Sequence, residues 1–351
     1  NKQALNMALL TELPLKQAKP SDLSGSILNL LTSQLGQNVS DTASNGAAAL
    51  QQQRDQLIQI SKLSHTTADA AAAAFVEYSE RLALLQRRIA PGSSELNLRL
   101  IWRDAWKPKN KVEKGDLDWD RVCMLFNAAA ALCFCGCRAH ERGASQDGLK
   151  TAMHQFQQAA GCLDAAHALV RPAIWGLSPR WDPCSLSLDM SLDMLIALRD
   201  LMLAQAQRAI FEQAVADGLK GKLTSKLAAH TANLFEAAYR VLARSEYSSH
   251  VTADGGFLGR DDRSWLARIN CSQALANAQA EEAAATESAE AFEYGITVAR
   301  LRIAVASASA AQKEAETGGL DGSERKLIGE MAARLSHALQ DATKKNETIY
   351  Q

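Results

Sequence analysis

The chain has 351 residues, 47% of them hydrophobic and 5% aromatic, with 38 basic against 39 acidic side chains. That balance argues against nucleic acid as a main partner. No uncharged segment approaches the ~20 apolar residues of a membrane span, the longest candidate being Met124 to Cys137.

No basic-then-apolar leader opens the sequence. Residues 1–6 read as an appended remnant, with Met7 as the native start and one domain over 7–351. Ala8 to Lys16 and Glu95 to Trp102 each alternate apolar with other residues. Both are expected to be strands with one buried face, paired in a small sheet. Between them, Pro20-Ser21-Asp22 starts a helix, Asn38 to Asn45 reads as a polar loop, and Ala47 to Arg88 as one or two helices. Lys107 to Lys114 (KPKNKVEK) is a basic segment. A solvated loop is the expectation, with weak contact to acidic lipid headgroups as the sharper alternative.

Trp119 to Gly143 is expected to be helical and carries Cys123, Cys133, Cys135 and Cys137. With no secretory leader, the seven cysteines read as reduced thiols. Cys133, Cys135, Cys137 and His140 are of the residue types that hold zinc. On a helix Cys135 points away from Cys133 and Cys137, so small buried hydrophobes are the better account, and no metal is expected. A further helix opens at Asp147, and Pro172 to Pro183 is a break.

Leu192 to Val215 is apolar on almost every face, as in a helix packed on several sides. Asp217, Gly218 and Gly221 end it, and a second helix starts near Lys222. There Leu223, Leu227, Leu234, Ala238 and Leu242 recur on one helical face, which completes an αα-hairpin. The two glutamines of LMLAQAQ, Gln205 and Gln207, need buried or bridging partners. Asp254 to Arg263 reads as a polar turn, and Trp265 to Ala310 as alanine-rich helix with at least one turn. A break follows at Thr317-Gly318-Gly319. Asp321-Gly-Ser-Glu324 has the form of a capping box for a last helix from Ser323 to about Lys345. The sequence holds no G-x-S-x-G, no G-x-G-x-x-G and no phosphate loop, so no catalytic residue and no cofactor are expected.

Landmarks in one order carry a family resemblance. They are LPLK (Leu13 to Lys16), LIWRDAW (Leu100 to Trp106), RVCMLFNAAAA (Arg121 to Ala131), DGLKTAMHQFQQAAGCL (Asp147 to Leu163), LDMS, LMLAQAQ (Leu201 to Gln207) and KKNETIY (Lys344 to Tyr350). This order resembles the Bro-one domain family of ALIX-like proteins. The resemblance implies a mainly α fold: an elongated, curved, boomerang-shaped solenoid of helical hairpins with a tetratricopeptide-like centre and a small β-sheet near the N-terminal half.

It also implies a non-catalytic binding module of an ESCRT-associated adaptor, cytoplasmic and recruited to endosomal membranes for sorting, budding or repair. The implied partner is the C-terminal amphipathic helix of an ESCRT-III subunit of the Snf-seven type, held helix-in-groove. Ubiquitin and an acidic lipid surface remain further candidates. The family's apolar patch falls on Ile210, Leu223 and Leu227, and its rim on Asp147, Lys150 and His154. Arg208 stands where the family usually has an acid, and Ile210 replaces a larger aromatic. The alternative is the same module in a rhophilin-like Rho-signalling scaffold or a phosphatase-like protein.

Overall fold

The computed structural model describes residues 9–35, 39–64, 66–88, 98–142, 146–171, 181–251 and 263–349. Residues 1–8, the start of the second expected strand (95–97), most of the expected break at 172–183 and the expected turn at 254–262 lie outside the described residues. The helices are α1 (Leu23–Leu35), α2 (Asp41–Ile58), α3 (Ala68–Gln86), α4 (Leu117–Glu141), α5 (Gln146–Val170), α6 (Leu192–Ala216), α7 (Lys222–Leu242), α8 (Ser245–Val251), α9 (Arg263–Glu290), α10 (Tyr294–Thr317) and α11 (Gly322–Ile349). The strands are β1 (Leu100–Arg103) and β2 (Lys111–Lys114). The chain divides into two compact units. One holds residues 1–12, 136–157 and 197–351, the other 13–135 and 158–196.

The unit that holds the sheet is gathered on Asp120, near the start of α4. Its carboxylate is fully buried and accepts four hydrogen bonds. Arg54 of α2 donates from Nε at 2.9 Å and Nη2 at 3.1 Å. Tyr78 of α3 donates at 2.8 Å, and Trp102 of β1 donates through Nε1 at 2.7 Å. Burial, reinforced by the Asp120 carboxylate, pushes the Tyr78 phenol well above its usual range, so it stays a donor.

The sheet differs from expectation. β1 pairs antiparallel with β2, Leu100 opposite Lys114 and Arg103 opposite Lys111. The basic segment is therefore a hairpin arm, with only 107–110 as its turn. Residues 9–16, the described part of the first expected strand, do not form one. The chain meets β1 later, through a bridge between Ala18 and Trp102. Upstream, side chains take the place of a neighbouring strand. Asn127 of α4 accepts from Lys16 N at 2.7 Å and donates to Lys16 O at 3.0 Å. Thr11 N donates to Gln205 Oε1 at 2.7 Å within the other unit. An extended segment satisfied in this way needs no ladder.

Lys16 also forms a fully buried ion pair with Asp189, whose Oδ2 accepts from Ala105 N at 2.8 Å. Burial opposes the Lys16 charge, but Asp189 outweighs it and holds the ammonium above its usual value. α4 is long and apolar enough to cross a membrane, contrary to the reading of its uncharged core alone. Yet 89% of that window is buried inside the protein, which makes it a core helix. On it Cys123, Cys133 and Cys137 are buried and Cys135 is half-buried.

In the other unit α9, α10 and α11 pack through small residues. Ala278, Ala304, Ala308, Ala311 and Ala315 meet Leu275, Ile328, Met331 and Leu335. Alanine lets the backbones approach closely, and the packing does not depend on aromatic bulk. The capping box opens α11 as its sequence indicates. Asp321 Oδ1 accepts from Ser323 N at 2.8 Å and Glu324 N at 2.9 Å, and Glu324 Oε2 accepts from Asp321 N at 3.0 Å. The expected polar loop at 38–45 is shorter than predicted. Ser40 caps α2, its Oγ accepting from Ala43 N at 3.3 Å.

Asp120→Ala would strand the Arg54 guanidinium and two further donors in the interior. Removing one partner of a buried ion pair costs about 3–5 kcal/mol. The urea midpoint read by circular dichroism should fall accordingly. A midpoint equal to wild type would contradict the hub.

Candidate functional site

All six residues expected at the site lie in one unit, the one that contains 136–157 and 197–351. The helix α6 is buried on nearly every side, as its uniform apolarity indicates: Met194, Leu198, Leu201, Met202 and Ala209 are all inaccessible. It ends in a Schellman motif. Gly218 takes φ +82°, Leu219 N donates to Ala214 O at 3.0 Å, and Gly218 N to Val215 O at 3.0 Å. Gly221, at φ +66°, then turns the chain into α7. Only glycine adopts such angles without strain.

The buried face of α7 shares only Ala238 and Leu242 with the expected row. It consists of Thr224, Ala228, Thr231, Ala232, Phe235, Ala238 and Leu242. The two threonine hydroxyls donate back to Gly221 O and Leu227 O, which makes them tolerable inside. Small residues on this face bring α7 close to its neighbours and leave the larger leucines at its edge. Leu223 is 51% exposed, and Leu227 is half-buried against Phe211, Ala228 and Ala280.

The structure thus places Leu223 and Leu227 one turn apart on the same side of α7. Ile210 is half-buried on α6 and immediately precedes Phe211, which packs on Ala228. The two helices therefore meet next to the residues proposed for the patch. Asp147, Lys150 and His154 are exposed and follow one another at helical spacing on α5, while Leu149, Ala152 and Phe156 are buried on its other side.

Arg208 belongs to the interior, not to the rim. It is 3% exposed and pairs with Glu212 one turn later. Its Nη1 donates to Gln279 of α9 at 2.9 Å. Glu212 Oε2 also lies 2.7 Å from His140 Nε2 on α4. Burial works to raise the Glu212 carboxyl, but Arg208 and His140 outweigh it and hold it below the ordinary glutamate value. Sequence reading treated Arg208 only as a departure from the family. The signal was available in the spacing of Arg208 and Glu212, an i,i+4 ion pair on a helix with no polar face.

A family model described as a BRO1-like domain matches residues 10–351. The vacuolar-sorting protein BRO1 of Arabidopsis thaliana is 25% identical over 95% of this chain and 37% of its own length. The ALG-2 interacting protein X of Dictyostelium discoideum is 24% identical over 95% of this chain and 39% of its own. The chain therefore spans under half the length of these relatives. Among solved structures, the ALIX BRO1 CHMP4C complex contains a chain similar in fold, with a TM-score of 0.79 at 20% identity. That match covers 98% of this chain and 89% of that one.

Glu212→Gln should cost about 3 kcal/mol at neutral pH, because it leaves Arg208 buried without its anion. The pH dependence carries the same signature. A carboxyl depressed in the folded state adds stability above its ordinary value near 4.5, and loses it as pH falls through the depressed value. Wild-type urea stability should therefore drop below about pH 4.5, and the variant should lack that component. Parallel pH curves for the two proteins would refute the assignment.

Proposed function

The chain belongs to the BRO1-like domain family, and on that premise we infer that it is a non-catalytic docking module for the C-terminal amphipathic helix of an ESCRT-III subunit. The observation that carries this reading is Leu223: a large apolar side chain half in water, on a helix whose other face is well buried. An amphipathic helix laid across α6 and α7 would cover Ile210, Leu223 and Leu227, and Asp147, Lys150 and His154 would supply polar contacts at the rim. A relative solved with CHMP4C supports the class of partner, and a vacuolar-sorting relative supports a place in sorting, for which the module would be recruited from the cytoplasm to endosomal membranes.

Burial of one such anchor is worth about 1.5–3 kcal/mol, and a few anchors usually carry most of an interface. The three patch residues differ in how cleanly they test the idea. Leu227 also packs against the Phe211 cluster, so a charge there disturbs the fold as well as the surface. Leu223 has no such second role.

Leu223→Asp should weaken binding of a CHMP4C tail peptide by at least ~2 kcal/mol, roughly thirtyfold, in titration calorimetry. Its thermal melt should match wild type. Leu227→Asp should weaken binding and also lower the melting temperature. Undiminished affinity in a folded Leu223→Asp protein would sink the patch.

A further inference from the structure

Seven large apolar side chains are exposed among the described residues, and five gather at one end of the unit that contains 197–351: Leu219, Leu223, Phe292, Ile296 and Ile349. The helix packing puts them there. The α6–α7 turn borders α9 at Glu282, Ala283 and Thr286, just before α9 ends at Glu290. The α9–α10 turn follows, and Gly295 beyond it lies beside Asn346 near the end of α11.

Phe292 is the most exposed of the five, at 72%, and it is held out under strain. It takes φ +60° at the end of α9, where Glu293 N donates to Ser288 O at 2.8 Å and Phe292 N to Ala289 O at 3.1 Å. This is the same Schellman geometry as at Gly218 and Gly319, where glycine occupies the left-handed position. Tyr294 stands edge-on to the Phe292 ring at 6.4 Å. A bulky residue in that conformation is disfavoured in the free protein, and such strain accumulates at functional positions.

The same end also contains a receptacle. A cavity of about 310 Å³ opens between Phe211, Val215, Leu219 and Ala283, with Gln279 and the Glu282–Arg334 ion pair on its wall. Charge is divided across the surface. Lys220, Lys222 and Lys226 stand exposed around the α6–α7 turn and outnumber the exposed Asp217 there, and Glu287, Glu290 and Glu293 stand exposed around the α9–α10 turn. A patch with a basic half, an acidic half and apolar groups between them is complementary to itself under a two-fold rotation. A bilayer fits less well, because the three glutamates would face anionic headgroups.

We propose that this end is a self-association surface, at which two copies pair by a two-fold axis, each inserting Phe292 into the other's cavity beside Leu219. The basic turn of each copy then faces the acidic turn of the other. Leu223 lies at the margin of this surface, so the dimer and a docked helix compete.

Sedimentation velocity over a concentration series into the millimolar range tests this. The wild type should shift from monomer to dimer and no further, since an isologous contact closes. Phe292→Gly removes the knob while placing glycine in the left-handed position. Its melting temperature should equal or exceed that of wild type, and its dimer dissociation constant should rise about tenfold or more. Lys220→Glu with Lys222→Glu in one protein, and Glu287→Lys with Glu290→Lys in another, should each be monomeric alone. Their equimolar mixture should dimerise, because both charged contacts are then complementary. A wild type that stays monomeric, a Phe292→Gly protein that dimerises like wild type, or a mixture that stays monomeric would each overturn the proposal. Peptide binding by Phe292→Gly should remain intact, which separates this test from that of the docking patch.

Discussion

A single buried carboxylate organises the unit that holds the sheet. Asp120 costs several kcal/mol to desolvate, as does the Arg54 guanidinium it meets. Their attraction alone does not offset that cost. The geometry does more: the two Arg54 nitrogens approach both carboxylate oxygens, and Tyr78 and Trp102 supply one further donor to each oxygen. Every partner comes from a different element, so α2, α3 and β1 are each tied to α4 by the same anion. Apolar packing alone would tolerate small slips of these elements. Four directed bonds to one group do not.

The same logic explains how an extended chain is held without a sheet. Thr11 and Lys16 find their hydrogen bonds on side-chain amides: Gln205 offers Thr11 N an acceptor, and Asn127 offers Lys16 both an acceptor and a donor as a strand would. Such groups are costly in a helix interior unless matched. Their match is a length of backbone that would otherwise be unsatisfied, so each half of the arrangement requires the other.

This also marks the limit of what the sequence revealed. Helix identity was legible, because α6 is apolar on every face and α11 begins with a complete capping box. The α6–α7 turn was legible from Gly218 and Gly221. Strand pairing was not. Alternation put Leu9, Thr11, Leu13 and Leu15 on the buried side, where they are, but Lys16 on the other side is buried as well, and periodicity says nothing about which partner satisfies the backbone. The basic run Lys107 to Lys114 hid a strand because Val112 is the one apolar residue in its four-residue arm, too few for alternation to register. The buried Arg208–Glu212–His140 set escaped for a related reason. It assembles from α6 and α4, and only one of its two spacings is local.

The surface of α7 follows from a choice of residue size. A helix that buries leucine on its packing face has little apolar side chain left for solvent. Here threonine and alanine fill that face at Thr224, Ala228, Thr231 and Ala232, and the hydroxyls are satisfied within the helix. The backbone of α7 can then sit close to α9, and the leucines are displaced to the edge. Leu223 and Leu227 flank the buried stripe and stand a turn apart. The hydrophobic pattern of the sequence put them on one helical face with Ala238 and Leu242 because it registers the residue and not the separation between helices. It is the close approach, made possible by small side chains, that turns two leucines of that face into part of a surface.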